Sequence, residues 1–181
     1  MSKYSNYTGT WVLDNSHSEI GFTARHAMVT KVRGKFNEFE GTIVIDGQNP
    51  SNSSATFIAQ LASFDSGNEQ RDGHVKSADF FDVDNNKTLE FKSTSVKVDG
   101  DDFELVGDLS IKGATQSVTI KGEFSDIVKD PFGNDRVGFE GKTQISRKDF
   151  GLTWNVALET GGWLVSDEIK IHLDLSAIKQ A

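Results

Sequence analysis

Apolar and polar residues alternate along most of this chain. In SEIGFTARH (18–26), Ile20, Phe22 and Ala24 alternate with Glu19, Thr23 and Arg25. In DFELVGDLSIKG (102–113), Phe103, Leu105, Leu109 and Ile111 oppose Glu104, Asp108, Ser110 and Lys112. Val118, Ile120 and Phe124 do the same in SVTIKGEFSDI, and Val137, Phe139 and Ile145 in RVGFEGKTQISR. The closing EIKIHLDL sets Ile169, Ile171, Leu173 and Leu175 against Lys170, His172 and Asp174. Further runs of this kind are GKFNEFEGTIVID, SSATFIAQLASF and TLEFKSTSVKV. A period of two is the signature of a strand with one face buried.

Between these runs lie DGQNPSNSS, DNNKT, DGDD, KGATQ and DPFGND, all rich in residues that favour tight turns. Roughly eight strands in succession, each with one apolar face, predict an all-β, eight-stranded antiparallel up-and-down barrel. Several runs exceed the usual strand length of about five or six residues, so the barrel should be tall. At this strand number an interior can be packed solid or can hold one small ligand, and alternation does not distinguish the two. One helical segment is expected near residues 70–82. Val75, Ala78 and Phe81 fall at helical spacing there, Asp72 and Lys76 stand four apart, and Gly73 keeps the helix short. No linker or repeat divides the chain, so 1–181 reads as one domain with its core at about 11–176.

Composition narrows the chemistry. There is no cysteine among 181 residues, which removes disulfides, thiolate nucleophiles and cysteine-bound zinc. A net charge of -8 argues against a nucleic-acid partner. No apolar run approaches the about 18 residues of a membrane-spanning helix. The opening MSKYSNYTGTW lacks the apolar core of a secretory signal, which makes the cytoplasm the expected location. Phenylalanine is abundant, 13 residues against 2 Tyr and 3 Trp. Phe adds apolar surface without a polar group that needs a partner, which suits an ordinary core and equally a cavity for a long apolar ligand.

Candidate chemistry is sparse. G-x-S-x-G, H-E-x-x-H and Walker motifs are all missing. If His17 and Glu19 lay on one strand they would share a face and could hold a metal, although a surface network with Asp14 is the simpler reading. RDGHVKSADFFD (71–82) crowds Arg71, His74 and three aspartates around Phe80 and Phe81. Asp72 and His74 are two apart and would face different ways on a helix, so the cluster reads as a structural plug over one barrel end. No metal and no cofactor is expected.

The motifs in their order resemble the YceI-like family of lipid- and polyisoprenoid-binding proteins, with an extended lipocalin-like barrel. The carrying segments are WVLDNSHSEIGFTARH, VRGKFNEFEGTI, RDGHVKSADFFDV, VGDLSIKGATQSVT, ISRKDFGL and VSDEIKIHLDL. One departure is Val75 after His74, where a leucine is common. The resemblance implies an eight-stranded barrel that binds a long apolar chain inside, commonly as a homodimer, with no cofactor and no reaction. The expected function is binding, storage or transport of a polyisoprenoid, isoprenoid quinone or fatty-acyl lipid. The rival is an enzyme on a lipophilic substrate with His26 or His74 as acid–base, and a third reading is a filled barrel used for protein contacts.

Strand parity turns Phe22, Phe91, Phe103 and Phe139 toward one interior, and Phe36, Phe39, Phe57, Phe64, Phe124, Phe150 and Trp154 are further candidates for its lining. Extending the same parity places His26 and Arg147 inward at strand ends, where they could grip a ligand head group. The alternative for Arg147 is an ion pair with Asp149 or another barrel carboxylate.

Overall fold

A computed structural model of the protein describes residues 2–181. Its alternating segments form the expected strands, several of them bent. β1 (Gly9–Leu13) and β2 (Glu19–His26) are one long strand interrupted by a 3-10 turn at Asn15–His17. β3 (Thr30–Phe36) and β4 (Phe39–Ile45) likewise run on from each other across two residues. β5 (Ser54–Gln60) continues through a 3-10 turn into β6 (Phe64–Asp65). Then follow the helix α1 (Glu69–Lys76) and the long strands β7 (Thr88–Asp99), β8 (Asp102–Ile111) and β9 (Ala114–Phe124). A two-residue β10 (Val128–Lys129) turns into β11 (Asp135–Ser146), and β12 (Glu168–Lys179) closes the chain.

Counted by long strands, each pairs with its neighbour in sequence and the last pairs with the first. β12 lies antiparallel to β11 along Arg136↔Ile178 to Ser146↔Glu168, and on its other edge to β2 and then to β1. The result is a closed eight-stranded antiparallel barrel, as the alternation predicts. Inside it meet the predicted apolar sets, with Trp11, Leu61, Val137 and Ala177 almost wholly buried. In β7 a bulge between Ser93 and Ser95 shifts the register, so Leu89 and Phe91 face inward before it and Val96 after it. A bulge adds one residue to one strand and so reverses the parity beyond it.

β9 and β11 pair only from Lys121↔Lys142 to Phe124↔Phe139, and beyond that they diverge. Their crossing is close: a Cβ on Gly122 would run into the Glu140 carbonyl. The 3-10 turn Arg147–Phe150 lies in the gap, with Phe150 buried and the Gln116 amide donating to the Asp149 carbonyl.

The helix is shorter than the sequence spacing predicts. Asn68 caps it, accepting from Arg71 N–H, and it ends at Lys76. Phe81 is buried, but from an irregular turn in which its N–H donates to the Val75 carbonyl. The expected Asp72–Lys76 pair does not form. Asp72 accepts instead from the backbone and hydroxyl of Ser66, since these donors lie at the helix start. The segment still acts as a plug, with Phe81 packing on Phe36 and Phe64 at 6.1 and 6.0 Å.

His17 lies in the 3-10 turn rather than on a strand, so it does not share a face with Glu19. It bonds Asp14 at 2.9 Å, while Glu19 lies 3.6 Å from His172. Among the described residues no group of three or more potential ligands could hold a metal ion. Asp14 belongs to a lock around Arg136, whose guanidinium donates to Asp14 at 2.8 Å and to Asp130 at 2.7 Å. The lock ties the β1–β2 corner to the loop before β11. Ser16, Arg136 and His17 hold the Asp14 carboxyl well below the usual carboxylate range. Asp130 falls to about 2, chiefly through the Asn134 N–H, with Arg136 adding to it.

Two outcomes follow for stability. Trp11→Ala removes a wholly buried side chain whose indole N–H donates to the Tyr7 carbonyl at 2.8 Å. It should cost about 3–5 kcal/mol, measured by chemical denaturation. Carboxyls with depressed folded pKa values stabilise above their unfolded pKa, and that stability is lost as pH falls through the folded values. The wild-type melting temperature should therefore drop steeply below about pH 4, and in Arg136→Met the drop should be shallower.

Candidate ligand-binding site

The barrel has two unlike ends. At one lie the turns joining β7 to β8 and β4 to β5, together with the end of β9. Residues 2–8 run across this end. The Tyr4 hydroxyl donates to the Gly100 carbonyl at 3.0 Å and the Tyr7 hydroxyl to Ser125 at 2.9 Å, while Thr8 Oγ1 accepts from Gly47 N–H. One short segment thus touches three sides of the rim. Both tyrosine rings meet Phe124 edge-on, at 6.2 and 5.4 Å. Burial, followed by the nearby Asp126 and Asp101 charges, pushes the Tyr7 phenol up, so it stays a donor.

Beneath this strap lies a cavity of about 100 Å³. Phe57, Phe103, Leu105, Ile120, Phe124 and Phe139 line it, and its surface is almost entirely apolar. It adjoins a solvent-open groove of about 1040 Å³ on the β7–β8 rim, and Tyr4, Pro50, Val96, Val98 and Phe103 line both. Towards the helix end the interior holds the packed rings of Phe22, Phe36, Phe64 and Phe81.

The eleven aromatic lining candidates therefore divide by place. Phe57, Phe103, Phe124 and Phe139 line the cavity. Phe39 and Phe91 are buried core, with Phe91 5.9 Å from Phe57. Phe22, Phe36 and Phe64 pack on one another towards the helix end, where they fill space. Phe150 and Trp154 belong to the connection between β11 and β12, and parity could not place them because they are not on strands. Sequence reasoning missed Tyr4 and Tyr7, whose segment has no alternation. It also missed Val96, hidden by the bulge.

His26 and Arg147 sit at the end away from the cavity. His26 is exposed at the tip of β2. Arg147 does turn inward, but its guanidinium makes four hydrogen bonds to backbone carbonyls: Ser166, Leu152, Trp154 and Val165. The expected Asp149 pair is replaced by these carbonyls, which a planar fork of donors can satisfy together. Burial pulls the Arg147 pKa below its ordinary value, and the Asp167 charge opposes that. His74 bonds Asp79 at 2.9 Å and packs edge-on against Trp154 at 4.5 Å, which holds its ring in place.

Residues 11–177 match the profile of the YceI-like domain. A UPF0312 protein of Pseudomonas aeruginosa is 34% identical over 167 residues, covering 92% of this chain and 84% of the relative. Protein YceI of Escherichia coli is 32% identical with the same coverage. Among solved structures, Burkholderia cenocepacia BcnA superposes with a TM-score of 0.77 at 24% identity, covering 91% of this chain and 98% of that one. A polyisoprenoid binding domain from Saccharophagus degradans, implicated in plant cell wall breakdown, gives 0.70 at 15% identity over 94% and 98%.

The Arg147 geometry has a direct consequence. Arg147→Met leaves the four carbonyls without these donors, and the loss of stability should reach about 3–5 kcal/mol in denaturant titration. Any variant that still folds should lose no more affinity for a charged lipid than for a neutral hydrocarbon of equal length.

Proposed function

This chain belongs to the YceI-like family, and on that premise we propose that it binds a long-chain apolar lipid by inserting the hydrocarbon end into the barrel beneath Tyr4 and Tyr7. A polyisoprenoid, an isoprenoid quinone or a fatty-acyl chain fits the chemistry, held for storage or transfer. The observation that carries this reading is the apolar cavity and its continuity with an open groove. Each buried methylene contributes about 0.8 kcal/mol, so a long tail needs no strong polar contact. The polyisoprenoid binding of the Saccharophagus domain supports the same class of ligand.

The cavity is smaller than the about 150 Å³ that accommodates one benzene. A long tail must therefore lie partly in the groove or displace the strap and the half-buried rings of Phe103, Phe124 and Phe139. The groove rim carries Lys97 and Lys121 against Asp99, Asp102, Glu104 and Glu123, a net-acidic set suited to an uncharged polar head group that remains in water.

Organic extraction of the purified protein followed by mass spectrometry tests this reading. The expected result is an intact lipid with a long hydrocarbon tail. Preparations that yield no lipid and bind no apolar fluorescent probe would overturn it. Val96→Trp should fill the shared mouth of cavity and groove, lowering probe affinity at least tenfold with the fold intact by circular dichroism. Unchanged affinity would place the tail elsewhere.

A further inference from the structure

The end of the barrel opposite the cavity carries a second feature. β2 and β3 are joined through residues 27–29 by a β-turn in which Val29 N–H donates to the His26 carbonyl at 3.1 Å. Its central residues, Ala27 and Met28, have φ of 50° and 64°. Both values are left-handed, a conformation that hairpins usually give to Asn-Gly because side chains with a Cβ resist it. Here the strained positions hold apolar residues, with Met28 63% and Val29 76% exposed.

A second hairpin lies beside the first. Ala157 bridges Trp163, Ala27 N–H donates to the Leu164 carbonyl, and the Met28 sulfur lies against Gly162. Trp163 is 58% exposed and Val156 45%. Together they form one apolar crest at the barrel end.

The wall behind the crest is basic. Strand register aligns Lys170 with Thr23 and Arg33, and Arg25 with Lys31, all on the outer face, and Lys142 follows one row further along. Among the described residues none of these five cations is within ion-pair distance of a carboxylate. Lys35 and His172 extend the face; Asp65 ends the Lys35 row, and the next row, Glu19, Asp174 and Glu140, is acidic and bounds it. Glu168 is the one acid within these rows, and Glu159 lies in the loop of the second hairpin. The chain's net charge is -8, so this face is opposite in sign to the protein as a whole. Arg25 reaches the crest itself, donating to the Val29 carbonyl at 3.3 Å.

We propose that the Met28–Trp163 crest and the basic wall of β2, β3 and β12 form a docking surface for an anionic phospholipid bilayer. An apolar tip with an exposed indole enters the headgroup–acyl boundary, and a collar of Lys and Arg holds the anionic headgroups. Charge complementarity chooses a bilayer over a nucleic acid, because exposed Met, Val and Trp bring nothing to a phosphodiester backbone. The left-handed Ala27–Met28 turn agrees, since a local conformational cost is carried where an apolar tip is displayed. This inference is independent of what the cavity holds.

Co-sedimentation of the full chain with phosphatidylcholine vesicles, with and without phosphatidylglycerol, provides the test, read together with Trp163 emission. Binding is expected only with phosphatidylglycerol, with a blue shift of emission, and it should weaken as salt rises. Lys31→Glu with Arg33→Glu should reduce partitioning more than the about fivefold expected for each neutralised cation. Ala27→Asn with Met28→Gly restores the favoured turn, so it should raise the melting temperature by a few degrees while lowering vesicle binding. That opposite movement separates docking from misfolding. Equal binding to both vesicle types, or full binding by the Asn-Gly variant, would overturn the proposal. So would absence of vesicle binding combined with a dimer that Trp163→Asp dissociates, which would make the crest a contact between copies.

Discussion

The structure depends on β12 pairing along both edges. One edge carries the unbroken ladder to β11, and the other receives β2 and then β1. Without that second edge the strands would form an open sheet with two long unpaired borders, a state prone to association. Closure also decides burial. It turns a set of one-sided apolar faces into an interior, and Ala177, small and wholly buried opposite Leu13, marks where the last strand meets the first. The bend at Asn15–His17 allows one continuous strand to serve both parts of β12, and the Arg136 lock holds that bend.

Closure leaves the two ends to be solved differently. The helix end is sealed by aromatic packing of Phe22, Phe36, Phe64 and Phe81 and by a connection pinned to Arg147. The opposite end is covered by the short segment around Tyr4 and Tyr7 and by the 3-10 turn Pro50–Asn52, and there the space persists. The unequal sealing gives the barrel a direction. The cavity and its groove lie at one end, and the basic wall with its apolar crest lies towards the other.

Much of the barrel was legible in the chain because alternation reports a face directly. Phe103 and Phe139 could be placed inward from parity alone, and both line the cavity. Parity carries no information about height along the axis, so Phe22 and Phe139 looked equivalent although they lie in different regions. It also breaks at irregularities, as the bulge before Val96 shows. Arg147 illustrates a further limit. Its inward direction was readable, but its partners are carbonyls from residues up to 19 positions away, supplied by a connection without periodicity. The strap tyrosines gave no signal of their own, because their position follows from where the rim turns come to lie.

The strap has a consequence for time as well as space. In the proposed reading, a tail beneath it reaches water through the mouth shared with the groove, which Tyr4 borders, or by displacing the strap past two phenolic hydrogen bonds each contributing about 1 kcal/mol. Displacing the strap needs only the fraying of a few residues, a loop motion of about nanoseconds to microseconds, and the barrel wall need not open. The strap is therefore a quick door. Residence is set by how many methylenes lie behind it.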